Sequence, residues 1–239
     1  AATYTAKKFS SSKHSTMFSM NAGNIKFIPY QFRPLRKLIN GERPRILVAD
    51  EVGVGKTIET GIILKEYERR ENVNNVIIVC PKELSTKWQR EMHYKFDEDF
   101  VIINGKDFKT IAWECDCDGE WPSGYSKCII GLETLRRDAN MKALAGLADY
   151  LHFDMLIVDE AHHAINAKTS SRAAVNTLSE FSEAAVFLSA TPIQLGSKDL
   201  YSLLNMLLPE EFYDPKLFEQ MAGSNKEINA AIRAIRNVR

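Results

Sequence analysis

The 239-residue sequence predicts an α/β fold in three layers, a mostly parallel central sheet flanked by helices. Three observations carry that expectation. Six apolar runs are too short for helices, they are rich in Val and Ile and bounded by charged or turn residues, and stretches with helical spacing separate them. Strand alternating with helix in this way gives parallel pairing through right-handed crossovers. The runs are RILVAD (45–50), NVIIVC (75–80), FVII (100–103), KCII (127–130), DMLIVDE (154–160) and AVFLSAT (185–191). KTIETGIILKEYERR and KELSTKWQREMHYKF are the clearest helical stretches between them. In sheets of this kind ligands bind beyond the carboxyl ends of the strands, so those ends are where chemistry is expected.

The ends of the chain read differently from its middle. The first 24 residues are rich in Ser, Thr and Lys without periodicity, and are expected to form a flexible or peripheral segment. Residues 214–239 carry an apolar stripe, Ile228, Ile232, Ile235 and Val238, at helical steps. A stripe still open at the last residue, and a first residue that is not Met, read as a piece of a longer protein. Residues 104–127 read as a variable insertion within a domain over 25–213.

Composition bounds the function. With 45% hydrophobic and 26% charged residues, a chain of this size can bury a core without disulfide or metal staples. Lys plus Arg and Asp plus Glu are both 31, so a grip on nucleic acid by net charge alone is disfavoured. Any such contact is expected to be shared with something outside the chain. No secretory pattern and no apolar run near the ~20 residues of a membrane span occur, so a cytoplasmic setting with reduced thiols is expected. Cys115, Cys117 and Cys128 have poor zinc spacing and no nearby fourth ligand, and are read as unpaired thiols rather than a metal site.

The strand RILVAD runs into EVGVGKTIETGIIL. Gly53 and Gly55 let the backbone curl so that N–H groups converge on a phosphate, and Lys56 stands at the loop exit to reach the β- and γ-phosphates. Thr57 offers its hydroxyl to Mg²⁺, and the helix that begins there aims its positive end at the nucleotide. The general phosphate-loop pattern has Gly where this chain has Asp50. A strand before GKT and a helix after it supply the required context, which makes the fold a P-loop NTPase.

Four apolar residues, 155–158, deliver Asp159 and Glu160 to a strand end. Adjacent carboxylates there are costly unless they serve a cation or a reaction. Asp159 would hold Mg²⁺ through water and Glu160 would orient or deprotonate the attacking water. Alone, the pair reads equally as a cap for the next helix; with GKT about a hundred residues upstream, the catalytic reading prevails.

ADEVGVGKT (49–57), DEAH (159–162) and SAT (189–191), in that order, resemble the superfamily-two helicases and translocases. With VIIVCPKELSTKWQREM (76–92) and LSATPIQLGSKDLYSLLNMLLPEEF (188–212), the chain is similar to the Swi/Snf-type ATPases, most of all their bacterial RNA-polymerase-recycling branch. The resemblance implies the first RecA-like lobe, ATP and Mg²⁺ as ligands, and double-stranded DNA as the track, with RNA or single strands as alternatives. It implies that Gln31 reads the adenine edge and that Asp50, Glu51, Gly53, Val54, Gly55, Lys56 and Thr57 surround the phosphates. It further implies that Ser189 and Thr191 couple ATP chemistry to nucleic-acid grip, with His162 hydrogen-bonded into that relay or, on the other reading, simply a helix-start histidine. Pro81, Lys82, Glu133, Thr134 and Leu135 fall where the family touches the phosphate backbone of one strand. Trp88, in an amphipathic helix, is read as a core residue rather than a stacking platform. A second lobe with arginine fingers is implied outside this chain, so the lobe by itself is expected to turn over ATP weakly or not at all. Two rival readings are a strand-separating or restriction-type motor and a non-catalytic nucleotide-sensing module.

Overall fold

The computed structural model describes residues 19, 23–26, 28–49, 55–165, 169–189 and 197–223. Asp50, Glu51, Gly53, Val54, Thr191 and the apolar stripe over 228–238 lie outside the described residues.

All six expected strands form: β1 (Arg45–Val48), β2 (Val76–Cys80), β3 (Val101–Ile103), β4 (Lys127–Gly131), β5 (Phe153–Val158) and β6 (Ser182–Leu188). They pair in one sheet of order β1-β6-β5-β2-β4-β3, every pairing parallel. The helices are α1 (Arg33–Asn40), α2 (Lys56–Arg70), α3 (Ser85–Phe96), α4 (Asp107–Asp118), α5 (Leu132–Leu135), α6 (Asp138–Gly146), α7 (Ser170–Glu180) and α8 (Ser197–Leu207).

Strand alternation divides the core in two. Val76, Ile78 and Cys80 of β2, with Ala184, Val186 and Leu188 of β6, face α1, α2 and α3. Ile77, Val79, Ala185 and Phe187 face the layer of α4, α6, α7 and α8. The central strands are therefore apolar on both faces, as buried parallel strands require. The edge strands differ: Val101 of β3 is 44% exposed.

The stretch read as an insertion is built into the fold. Residues 107–118 form α4, the crossover between β3 and β4, and Phe108, Ile111, Cys115 and Trp121 are buried in the core. Cys115 and Cys117 sit on one helix but in different settings, the first buried and the second exposed, while Cys128 is buried in β4. Among the described residues no three His, Cys, Asp or Glu side chains are grouped to hold a metal ion. No described helix is long and apolar enough to cross a membrane.

The described parts of the N-terminal segment lie on the helices. Ser19 N–H donates to Glu66 Oε2 at 2.6 Å, and Asn24 N–H donates to the Lys95 carbonyl at 2.7 Å. Beyond α8 the chain turns back, and Phe218 packs on Tyr201 and Phe212 with ring centroids 5.5 and 6.0 Å apart.

Candidate nucleotide site

The site is assembled by strand register. Val48 pairs with Leu188, Phe187 with Val158, and Val158 with Val79, so β1, β6, β5 and β2 end level. Two further bonds carry the ladder one residue past the strands: Ser189 N–H to the Val48 carbonyl at 3.0 Å and Asp159 N–H to the Val79 carbonyl at 2.7 Å. Ser189 and Asp159 thus arrive at the same end of the sheet.

At the head of α2, Gly55 has φ +101°, a left-handed conformation that an L side chain rarely adopts. A Cβ there would also lie 2.4 Å from Gln31 Nε2. Gln31 is buried, at 3% exposure, against this turn. The residue that by itself looks like a surface glutamine is therefore held at the end of the phosphate loop. Lys56 and Thr57 occupy the first turn of α2, half-buried, where the helix dipole favours an anion. The positive charge of Lys56 opposes the rise in the Asp159 pKa and adds to the fall in that of His162.

Asp159 is 9% exposed. Its Oδ1 accepts the Glu160 backbone N–H at 2.9 Å, and its Oδ2 accepts the indole Nε1–H of Trp88 at 2.8 Å. Burial raises the carboxyl above its ordinary range; the Trp88 bond opposes that rise, the Glu160 charge adds to it, and Lys56 opposes it again. A buried carboxylate held in this way is the kind of oxygen donor that a divalent cation takes.

Glu160 follows in left-handed backbone, φ 48° and ψ 47°. For a residue with a side chain that conformation is unfavourable and is held by the surrounding structure. It swings the chain from β5 into a short 3₁₀ segment, Ala161–Ala164. Glu160 Oε2 is buried and accepts no hydrogen bond among the described residues. His162 Nδ1 lies 3.2 Å from it without the alignment of a hydrogen bond. The same Nδ1 lies 3.4 Å from Ser189 Oγ, so the histidine bridges the acidic strand end to the end of β6. Burial, and then the neighbouring His163, lower the His162 pKa, which favours the neutral ring able to accept the Ser189 proton.

The residues expected at the nucleic-acid backbone meet at the neighbouring strand ends. Lys82 N–H donates to Glu133 Oε2 at 2.9 Å, and a Cβ on Gly131 would come within 3.0 Å of the Lys82 Cβ. Lys82 is exposed, Glu133 half-buried, and Pro81, Thr134 and Leu135 are buried. The Thr134 carbonyl accepts from Asn140 Nδ2 at 2.7 Å, so this turn is fixed from within.

Sequence reasoning placed Trp88 in the core, where it is, at 2% exposure. It did not find the bond to Asp159, 71 positions away. The available signal was that a buried indole N–H needs an acceptor; nothing local names which one.

Strand ends so arranged define the nucleotide-binding lobe of a P-loop ATPase with a RecA-like fold. The model of the SNF2-related domain matches residues 30–237, and the chain belongs to that family, as the first lobe of a Snf2-type ATPase. Two RNA polymerase-associated proteins RapA of Haemophilus influenzae are similar: one, from strain KW20 Rd, is 34% identical over 208 residues, the other, from strain PittEE, 36% identical over 195 residues. The matches take in 85% and 80% of this chain but 22% and 20% of those proteins, so the chain spans about a fifth of their length. Among solved structures, the Sulfolobus solfataricus SWI2/SNF2 ATPase core in complex with double-stranded DNA superposes with TM-score 0.63 at 19% identity, over 86% of this chain and 40% of that one. The DNA-free core domain gives 0.60 at 20% identity with the same coverage. At those identities the likeness speaks for the fold.

Proposed function

We propose that the chain is the first lobe of an ATP-driven translocase on double-stranded DNA, hydrolysing ATP when a second RecA-like lobe closes on it. One observation carries the reading: strand register brings Asp159 and Ser189 to the same end of the sheet, with Glu160 left holding a buried carboxylate oxygen that accepts no hydrogen bond among the described residues. The phosphates lie on the loop of Asp50, Glu51, Gly53, Val54 and Gly55 and on the first turn of α2, with Lys56 at the β- and γ-phosphates and Gln31 at the adenine. Thr57 and Asp159 would hold Mg²⁺, which would supply positive charge to the transferring phosphoryl group. Glu160 takes the proton of the attacking water, since its Oε2 already lacks a donor in a desolvated place. His162 then reports the change to Ser189, and Thr191 belongs to the same relay. Each closure alters the grip on one DNA strand along Pro81, Lys82 and Thr134, through backbone groups and hydroxyls rather than through net charge.

Two likenesses support the choice of track and setting. One similar ATPase core was solved in complex with double-stranded DNA, and the RapA relatives are RNA polymerase-associated. The test is ATP turnover by the full-length protein with duplex DNA, single-stranded DNA or RNA. Duplex DNA alone should stimulate, and Glu160→Gln should lower the stimulated rate by about 10²–10⁴ while nucleotide binding persists. Undiminished turnover by Glu160→Gln would remove the carboxylate from its role, and stimulation by single strands would make the protein a helicase.

A further inference from the structure

The most informative contact outside the expected machinery is that between Trp88 and Asp159. Trp88 stands in the first turns of α3, buried among the apolar residues of the α1–α2–α3 face. Its ring satisfies that core, yet its one polar atom is aimed out of the core at the strand end, 2.8 Å from Asp159 Oδ2.

An ionised carboxylate has two acceptor sites on each oxygen. In Asp159 the Glu160 N–H takes one on Oδ1 and the Trp88 N–H takes one on Oδ2. Each oxygen keeps one site for a cation shell, and with both oxygens tethered the side chain has no freedom to rotate. The Glu160 bond is local, made by the next residue in a turn. The Trp88 bond comes from a rigid aromatic side chain on a separate helix, so among the described residues it alone ties the carboxylate to the body of the lobe. Donors that fix the groups surrounding a metal's shell set their orientation and the affinity that follows from it.

We propose that Trp88 is a positioning residue for the Mg²⁺-holding carboxylate, its indole N–H fixing Asp159 in the orientation that binds the cation. The proposal rests on the reading of Asp159 given above. The alternative it must beat is that Asp159 merely satisfies a buried indole, in which case removing the N–H affects stability alone.

Binding, not turnover, separates the two. Full-length protein is titrated with Mg²⁺ at a fixed concentration of N-methylanthraniloyl-ADP, and the complex is followed by fluorescence anisotropy, with a parallel measurement in EDTA. Trp88→Phe keeps an aromatic ring and loses the donor. It should raise the Mg²⁺ concentration at half-saturation by about tenfold, the lower end of such effects, and leave binding in EDTA unchanged. Met92→Val, one turn along the same buried face, disturbs the packing but keeps the N–H; it should lower the melting temperature without moving the Mg²⁺ midpoint. Asp159→Asn should move that midpoint at least as far as Trp88→Phe.

A wild-type midpoint in Trp88→Phe beside a shifted one in Asp159→Asn would overturn the positioning role and leave the site reading intact. An equal shift in Met92→Val would assign the effect to packing and overturn it as well. An unmoved midpoint in Asp159→Asn would sink the reading of the site, and the proposal with it. Should Trp88→Phe fail to fold, β-(3-benzothienyl)alanine at position 88 removes only the N–H, and the same outcomes decide.

Discussion

At the scale of single residues, the site trades stability for chemistry. Burial raises the Asp159 pKa, Glu160 adopts a left-handed backbone, and burial with the neighbouring His163 lowers the His162 pKa. The histidine gives this a pH signature. Its folded pKa lies below the ordinary value of 6.5, with burial the largest cause. A group whose pKa falls on folding binds more protons in the unfolded chain, so its contribution to stability is present above pH 6.5 and is lost as the pH falls below that value. Asp159 works in the opposite sense, since its raised pKa favours the fold where it becomes protonated, in a more acidic window. The melting temperature should therefore decline as the pH is lowered from 7 through the 6.5 region, and His162→Gln should decline less over that range. Equal declines in both proteins would show that the ring is not held neutral.

At the scale of elements, the crossing of α2 and α3 is set by one missing side chain. A Cβ at Gly61 would lie 2.1 Å from Phe96 Cε2, and the Phe96 ring is itself 1% exposed. Glycine within a helix costs about 1 kcal/mol relative to alanine, so this one is retained for the approach it permits. Gly61→Ala should destabilise the lobe by about 1–3 kcal/mol through overpacking, against its propensity gain. Adding Phe96→Leu should restore part of the loss, because neighbours that share a clash are not additive. Chemical denaturation of the two variants checks this; a stabilised Gly61→Ala would mean the helices have room to part. The same crossing places α3, and with it Trp88, over the end of β5.

At the scale of the whole lobe, one buried carboxylate ties together elements distant in the chain. Glu98, between α3 and β3, forms ion pairs with Lys65 of α2 and Lys127 of β4, and Glu68 of α2 completes the network by pairing with Lys127 at 2.6 Å. The Glu98 side chain is 6% exposed, so removing its charge leaves two cations facing one remaining acid in a partly dry place. Breaking a buried pair on one side costs about 3–5 kcal/mol. Glu98→Gln should lose close to the lower figure, because Lys65 and Lys127 retain some access to water at 18% and 25% exposure. Denaturant titration reads that loss. A change under about 0.5 kcal/mol would place the cluster among ordinary surface pairs.

These scales also separate what was legible in the amino-acid order. The strands over 76–80 and 153–158, the helix opening at Lys56 and the carboxylates at 159 and 160 follow from period, run length and residue type, all local properties. Over residues 104–127 local patterns do not show the burial of Phe108, Ile111 and Cys115, because the polar face of α4 hides it until the sheet supplies a surface for them. Gln31 against Gly55, His162 against Ser189 and Trp88 against Asp159 were decided by tertiary structure. Each of these contacts joins elements far apart in sequence, and its geometry depends on parallel register and helix crossing. A side chain's type states what it can bond to; only the packed sheet brings the partner within 3 Å or so of it.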